Sequence, residues 1–120
     1  MKVETHPDLA AVRTYGLSFP EAWEDFPWGH SALKVRKKAF AFLGRNEEGL
    51  ANMSVKLPDS CEAACAMPGN APTGYGLGKS GWVTITVRSK NDPPTELLKE
   101  WLVESYVAVA PKTLGRKLTD

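Results

Sequence analysis

The sequence predicts an α+β fold built on an antiparallel sheet, and three observations point to it. Period-two segments follow one another between residues 32 and 57 with short connections, which is the mark of a meander. A β-branched run from Trp82 to Arg88 supplies a further strand. Helix-type patterns lie before, between and after these segments, giving N-terminal, short central and C-terminal helices.

Thr5 or Asp8 caps the first helix, with Pro7 in its opening turn, Leu9, Val12 and Tyr15 as the buried stripe and Gly16 as the stop. Ser18 to His30 carries Pro20, Pro27 and Gly29 among large aromatics, the pattern of an ordered, irregular segment packed across the core. From Ala32 the chain alternates, Leu33 and Val35 toward the core and Lys34 and Arg36 toward solvent, with Lys37-Lys38 as the turn. Ala39 to Leu43 forms the second strand, with Phe40 and Phe42 on one face, and Asn52 to Leu57 the third, burying Met53, Val55 and Leu57. Asp59 or Ser60 caps a short helix that ends near Met67, and a glycine-rich loop, Pro68 to Gly81, leads into the strand at Trp82. After Asn91-Asp92-Pro93-Pro94 the last helix buries Leu97, Leu98, Trp101, Leu102, Tyr106 and Val109.

A chain of 120 residues suits one domain spanning 1–120, with 111–120 expected as a polar, basic, frayed tail. Fifteen basic residues against fourteen acidic ones leave a net charge of +1. That balance lacks the bulk excess of a protein that coats nucleic acid or an anionic membrane, so any charge effect depends on local placement. Cys61 and Cys65 stand four apart in a helical segment, a poor match to disulfide geometry and a sign of a reducing compartment. With no signal-length apolar start and no run of the roughly 20 apolar residues that a membrane span requires, the expected location is the cytoplasm and the expected state a monomer.

Four places in the chain carry a family pattern: Glu24-Asp25-Phe26-Pro27-Trp28-Gly29-His30; the paired strands around Leu33-Lys34-Val35 and Lys38-Ala39-Phe40-Ala41; Val55-Lys56-Leu57 before Pro58-Asp59; and Lys79-Ser80-Gly81-Trp82-Val83 leading to Glu104-Ser105-Tyr106. In order and spacing they resemble the MmcQ/YjbR family of small bacterial proteins over nearly the whole length. The resemblance implies an α+β fold similar to double-wing DNA-binding folds, and with it DNA binding. Where a common form of the family pattern has Asn-Lys-x-His before the tryptophan, this chain has Gly78-Lys79-Ser80-Gly81, so a histidine role does not carry over.

The cations Lys34, Arg36, Lys37 and Lys38 straddle the predicted hairpin, and Lys56 and Lys79 extend them, a set suited to weak, salt-dependent phosphate contact. The same residues also serve simply to protect a strand edge and keep a hairpin soluble. The last helix carries Asp92, Glu96, Glu100 and Glu104 against Lys99 alone, and is no recognition helix. The second functional class is an adaptor that binds a protein or small anion beside Trp28, His30, Trp82 and the Gly74 to Gly81 loop, although core packing also accounts for such aromatics. Gly74-Tyr75-Gly76-Leu77-Gly78-Lys79-Ser80 has one residue too few for a phosphate-binding loop and precedes a strand where that loop requires a helix. His6, His30, Cys61 and Cys65 are too scattered to close a metal site. No nucleophile sits in a catalytic motif, so neither a cofactor nor an enzymatic activity is expected.

Overall fold

The computed structural model describes residues 7–26, 31–45, 49–74, 77–89 and 93–119. Helix α1 (Pro7–Leu17) leads into β1 (Ala22–Asp25), β2 (Ser31–Val35), β3 (Lys38–Arg45) and β4 (Ala51–Lys56). Helix α2 (Cys61–Cys65), the two-residue strand β5 (Ala71–Pro72) and a 3-10 turn (Leu77–Ser80) precede β6 (Trp82–Val87), and α3 (Thr95–Val109) and α4 (Lys112–Thr119) close the chain. All pairings in the six-stranded sheet are antiparallel, in the order β1-β2-β3-β4-β6-β5. The predicted α+β class is the observed one.

One face of the sheet is the core face. Leu33, Val35, Leu43, Met53, Val55, Ile85 and Val87 project from it and are buried against Leu9 and Val12 of α1 and Leu98, Leu102 and Tyr106 of α3. Phe19, Phe40 and Tyr106 pack ring against ring, with centroids 5.1 to 5.9 Å apart, and the Tyr106 hydroxyl donates to the Pro20 carbonyl at 2.6 Å. That bond satisfies the polar tip of an otherwise apolar side chain, and burial pushes the phenol pKa up.

Strict alternation in β3, which would place Phe40 and Phe42 together, is broken by a β-bulge. Leu33 pairs with Ala41 but Lys34 pairs with Ala39, so Phe40 is the extra residue. Phe40 and Ala41 are therefore both buried, and Phe42 turns to the opposite face, 5.7 Å from Trp82. The bulge leaves the Phe40 carbonyl and the Lys56 amide without each other. Ser105 of α3 fills the gap: its hydroxyl donates to the Phe40 carbonyl and accepts from the Lys56 amide at 2.8 Å.

Several local expectations are corrected. Ala22–Asp25, within the segment expected to be irregular, is an edge strand; its acidic residues hide the period, because Glu24 faces α1 and not water. Gly16 does not stop α1, which runs to Leu17 with Tyr15 exposed; a Cβ at Gly16 would lie 2.8 Å from Leu33 Cδ1, so the glycine allows helix and sheet to approach. Asp8 lies inside α1, and Thr5 lies outside the described residues. Neither Asp59 nor Ser60 caps α2 with its own side chain: the Glu104 carboxylate accepts from both amides and from the Ser60 hydroxyl. The expected frayed tail is α4, held by buried Leu114 and by Leu118 packed against the core. Cys61 and Cys65 are both free thiols.

The Glu24 side chain is enclosed, 8% exposed. Arg13 Nε and Nη2 donate to its two oxygens at 2.8 and 2.5 Å, and the Ser31 hydroxyl donates to Oε2. The Arg13 guanidinium, helped by Ser31, holds the Glu24 carboxyl below the ordinary glutamate value.

Two stability predictions follow from these contacts. Ser105→Ala leaves a buried carbonyl and a part-buried amide unpaired and is expected to cost about 2–4 kcal/mol in urea unfolding; a loss below 0.5 kcal/mol, on the order of an ordinary surface change, would contradict the bridging role. Because the Glu24 pKa is depressed in the fold, its stabilisation is complete above the unfolded-state glutamate value and is lost as pH falls through the folded value. Glu24→Gln should therefore flatten the acid limb of the stability-pH curve, and an unchanged limb would exclude the Arg13 pair as its source.

Candidate anion-binding site

β2 and β3 are joined by a two-residue turn, Arg36-Lys37, since Val35 pairs with Lys38. The turn is one residue earlier than the sequence pattern suggests, because Lys38 already belongs to β3. Arg36 has φ 55°, a left-handed conformation in which Cβ crowds the backbone and which such turns normally give to glycine or asparagine. Its carbonyl accepts from Trp23 Nε1 at 2.8 Å, and its guanidinium meets the Glu21 carboxylate at 3.1 and 3.3 Å. Both partners are about half exposed, so the pair is screened by solvent and the guanidinium remains available to another anion.

The turn lies over the junction of α3 and α4. Between them is a groove of about 580 Å³, floored by Val35, Val109, Ala110 and Pro111 and edged by Arg36, Lys37, Lys38 and Lys112. Among the described residues no carboxylate lines it. Arg36 and Lys37 are there because the turn is tight, Lys38 because β3 begins at once, and Lys112 because α3 ends at Val109 and the chain turns directly into α4. Arg116 and Lys117 continue the basic side of α4.

The six cations singled out in the sequence are thus divided. Arg36, Lys37 and Lys38 converge on the groove. Lys34 is withdrawn from it: on the opposite sheet face its ammonium binds Asp25 at 2.7 Å and lies 5.3 Å from the centre of the Trp23 ring. That bond holds the Asp25 carboxyl below its ordinary value, with the Phe26 amide adding to the effect. Lys56 is half-buried at the end of β4 and Lys79 is exposed in the 3-10 turn; neither lines the groove. Sequence reasoning missed Lys112, Arg116 and Lys117, for which the signal was Leu114 and Leu118 spaced four apart in a basic segment.

Of the aromatics, Trp82 is 9% exposed and packs on Phe42, a packing role. Trp28 and His30 lie outside the described residues, as does the centre of the glycine-rich loop. Beyond it, Leu77–Ser80 leads through Gly81 into β6 and not into a helix, against the context of a phosphate-binding loop. A second cleft, of about 360 Å³, lies between α1 and α3, where Lys99 stands over Tyr15 beside Glu96 and Glu100. Among the described residues no three histidine, cysteine or acidic side chains gather as a metal site, and no helix is long and apolar enough to cross a membrane.

A protein-family model described as YjbR matches residues 17–108 of the chain. That span runs from the end of α1 to the last turn of α3 and leaves α4 outside the match. No curated protein matches.

Arg36→Gly relieves the left-handed strain and gives up only a solvent-screened ion pair. The expected result is a melting temperature raised by about 3 °C together with weaker anion binding. A lower melting temperature would show that the Glu21 contact outweighs the backbone strain.

Proposed function

The chain belongs to the YjbR family, and we propose that it is a nucleic-acid-binding module that contacts phosphates through the β2–β3 turn and α4 without reading bases. The observation that carries this reading is the convergence of Arg36, Lys37, Lys38 and Lys112 on one groove that no carboxylate lines among the described residues, with Glu21 paired to Arg36 at its rim. Arg116 and Lys117 extend the same basic surface along α4. In a chain whose total charge is +1, this is a marked local excess.

Charge also argues against a recognition helix. α3 carries Glu96, Glu100 and Glu104 with Lys99 as its one cation, and Glu104 is committed to α2. Phosphate contact by flexible lysines neutralises charge and releases counterions, which favours weak binding with little sequence preference. The reading assigns no catalytic step.

Labelled double-stranded DNA followed by fluorescence anisotropy across a salt series tests the proposal. Engagement of Lys37, Lys38, Lys112, Arg116 and Lys117 predicts a log–log salt slope of about −4 to −5, reduced by about one for each cation neutralised. The combined variant K37Q/K38Q/K112Q is expected to bind at least tenfold more weakly, whereas K34Q, whose ammonium is held by Asp25, stays within about twofold of the parent. Absence of binding at low salt, or an equal loss in K34Q, would sink the reading.

A further inference from the structure

Phosphates of a nucleic-acid backbone need only the rim of the groove beneath the β2–β3 turn. They do not account for its apolar floor, where Val109 and Pro111 are only partly buried and Ala108 is exposed. We infer that this groove accepts a compact organic phosphate, its anionic group among Lys37, Lys38 and Lys112 and an apolar or aromatic body on Ala108, Val109 and Pro111. Competition of this ligand with nucleic acid for the same cations rests on the function proposed above; the pocket itself does not.

Volume and charge both select this class. The groove, at about 580 Å³, lies within the range typical of small-molecule sites. Its four cations are offset by Glu21, which pairs with Arg36, while the C-terminal end of α3 and the N-terminal end of α4 meet there with opposite dipole charges of roughly one half each. The remaining charge, about +3, suits a phosphate dianion better than a single carboxylate. The apolar floor adds binding that salt does not screen, so an organic phosphate is held more tightly than inorganic phosphate.

The test is an amide chemical-shift titration of the full chain with 1-naphthyl phosphate, with inorganic phosphate and 1-naphthol as separate probes. The expected result is a Kd for 1-naphthyl phosphate at least tenfold below that for inorganic phosphate, with shifts centred on Val35, Lys37, Lys38, Val109 and Lys112. Ala108→Glu places a carboxylate at the exposed edge of the same groove and should abolish binding without changing the melting temperature by more than a few degrees. Equal affinity for the two phosphates, shifts centred elsewhere, or full retention of binding in Ala108→Glu would overturn the inference. The two proposals fail separately: salt-sensitive DNA binding without 1-naphthyl phosphate binding removes the pocket alone, and the reverse result removes the nucleic-acid reading while the pocket stands.

Discussion

The architecture depends on one hydroxyl. Beside the β3 bulge the ladder between β3 and β4 ends at the Ala41–Val55 pair, and Ser105 takes its place by serving the Phe40 carbonyl and the Lys56 amide together. Two backbone groups that would otherwise be unpaired are satisfied, and in the same contact α3 is locked to the sheet at one height and rotation. Everything at the C-terminal end of α3 is placed by that lock. Val109 comes one turn after Ser105, Ala110 and Pro111 follow, and these residues form the floor over which the Arg36-Lys37 turn projects. The bulge thus positions the groove as well as the core.

Electrostatics then distributes the cations between structure and surface. Glu24 is enclosed by Arg13 and Ser31, so removing the Arg13 charge would leave the carboxylate poorly solvated; this pair belongs to the packing of α1 on the sheet. Asp25 and Lys34 meet on the opposite face beside Trp23, and Glu21 meets Arg36 at the rim. Asp25 of β1 therefore removes one of the hairpin cations from use, and Glu21, just before that strand, partly offsets another. α4 restores the balance: its buried Leu114 fixes the helix against α3, and Lys112, Arg116 and Lys117 are carried to the surface.

The two faces of the sheet differ in what they have to satisfy. The core face is apolar and closed by α1 and α3. On the other, the Ser54, Thr73 and Thr84 hydroxyls bond to one another at 2.9 and 3.0 Å, with Phe42 packed on Trp82 beside them. Cross-strand pairs of this kind stabilise the centre of the sheet.

Strand period, β-branched runs and helical periodicity were enough to determine the α+β class, the antiparallel meander and the main core residues, because each is set by neighbours a few positions apart. The sequence also determined that Lys37 and Lys38 stand at a hairpin. What it left undecided needed contacts between distant residues. The bulge at Phe40 requires Ser105, sixty-five positions away, and a serine inside a helix pattern reads as solvent-facing until a carbonyl is brought to it. Glu24 in β1 reads as a surface charge until Arg13 is set opposite, and the polar tail becomes a helix only once α3 offers a surface on which Leu114 is buried. The groove has the same origin: its cations come from a turn and a helix more than seventy residues apart in the chain, and only the packing of α3 on the sheet makes them one site.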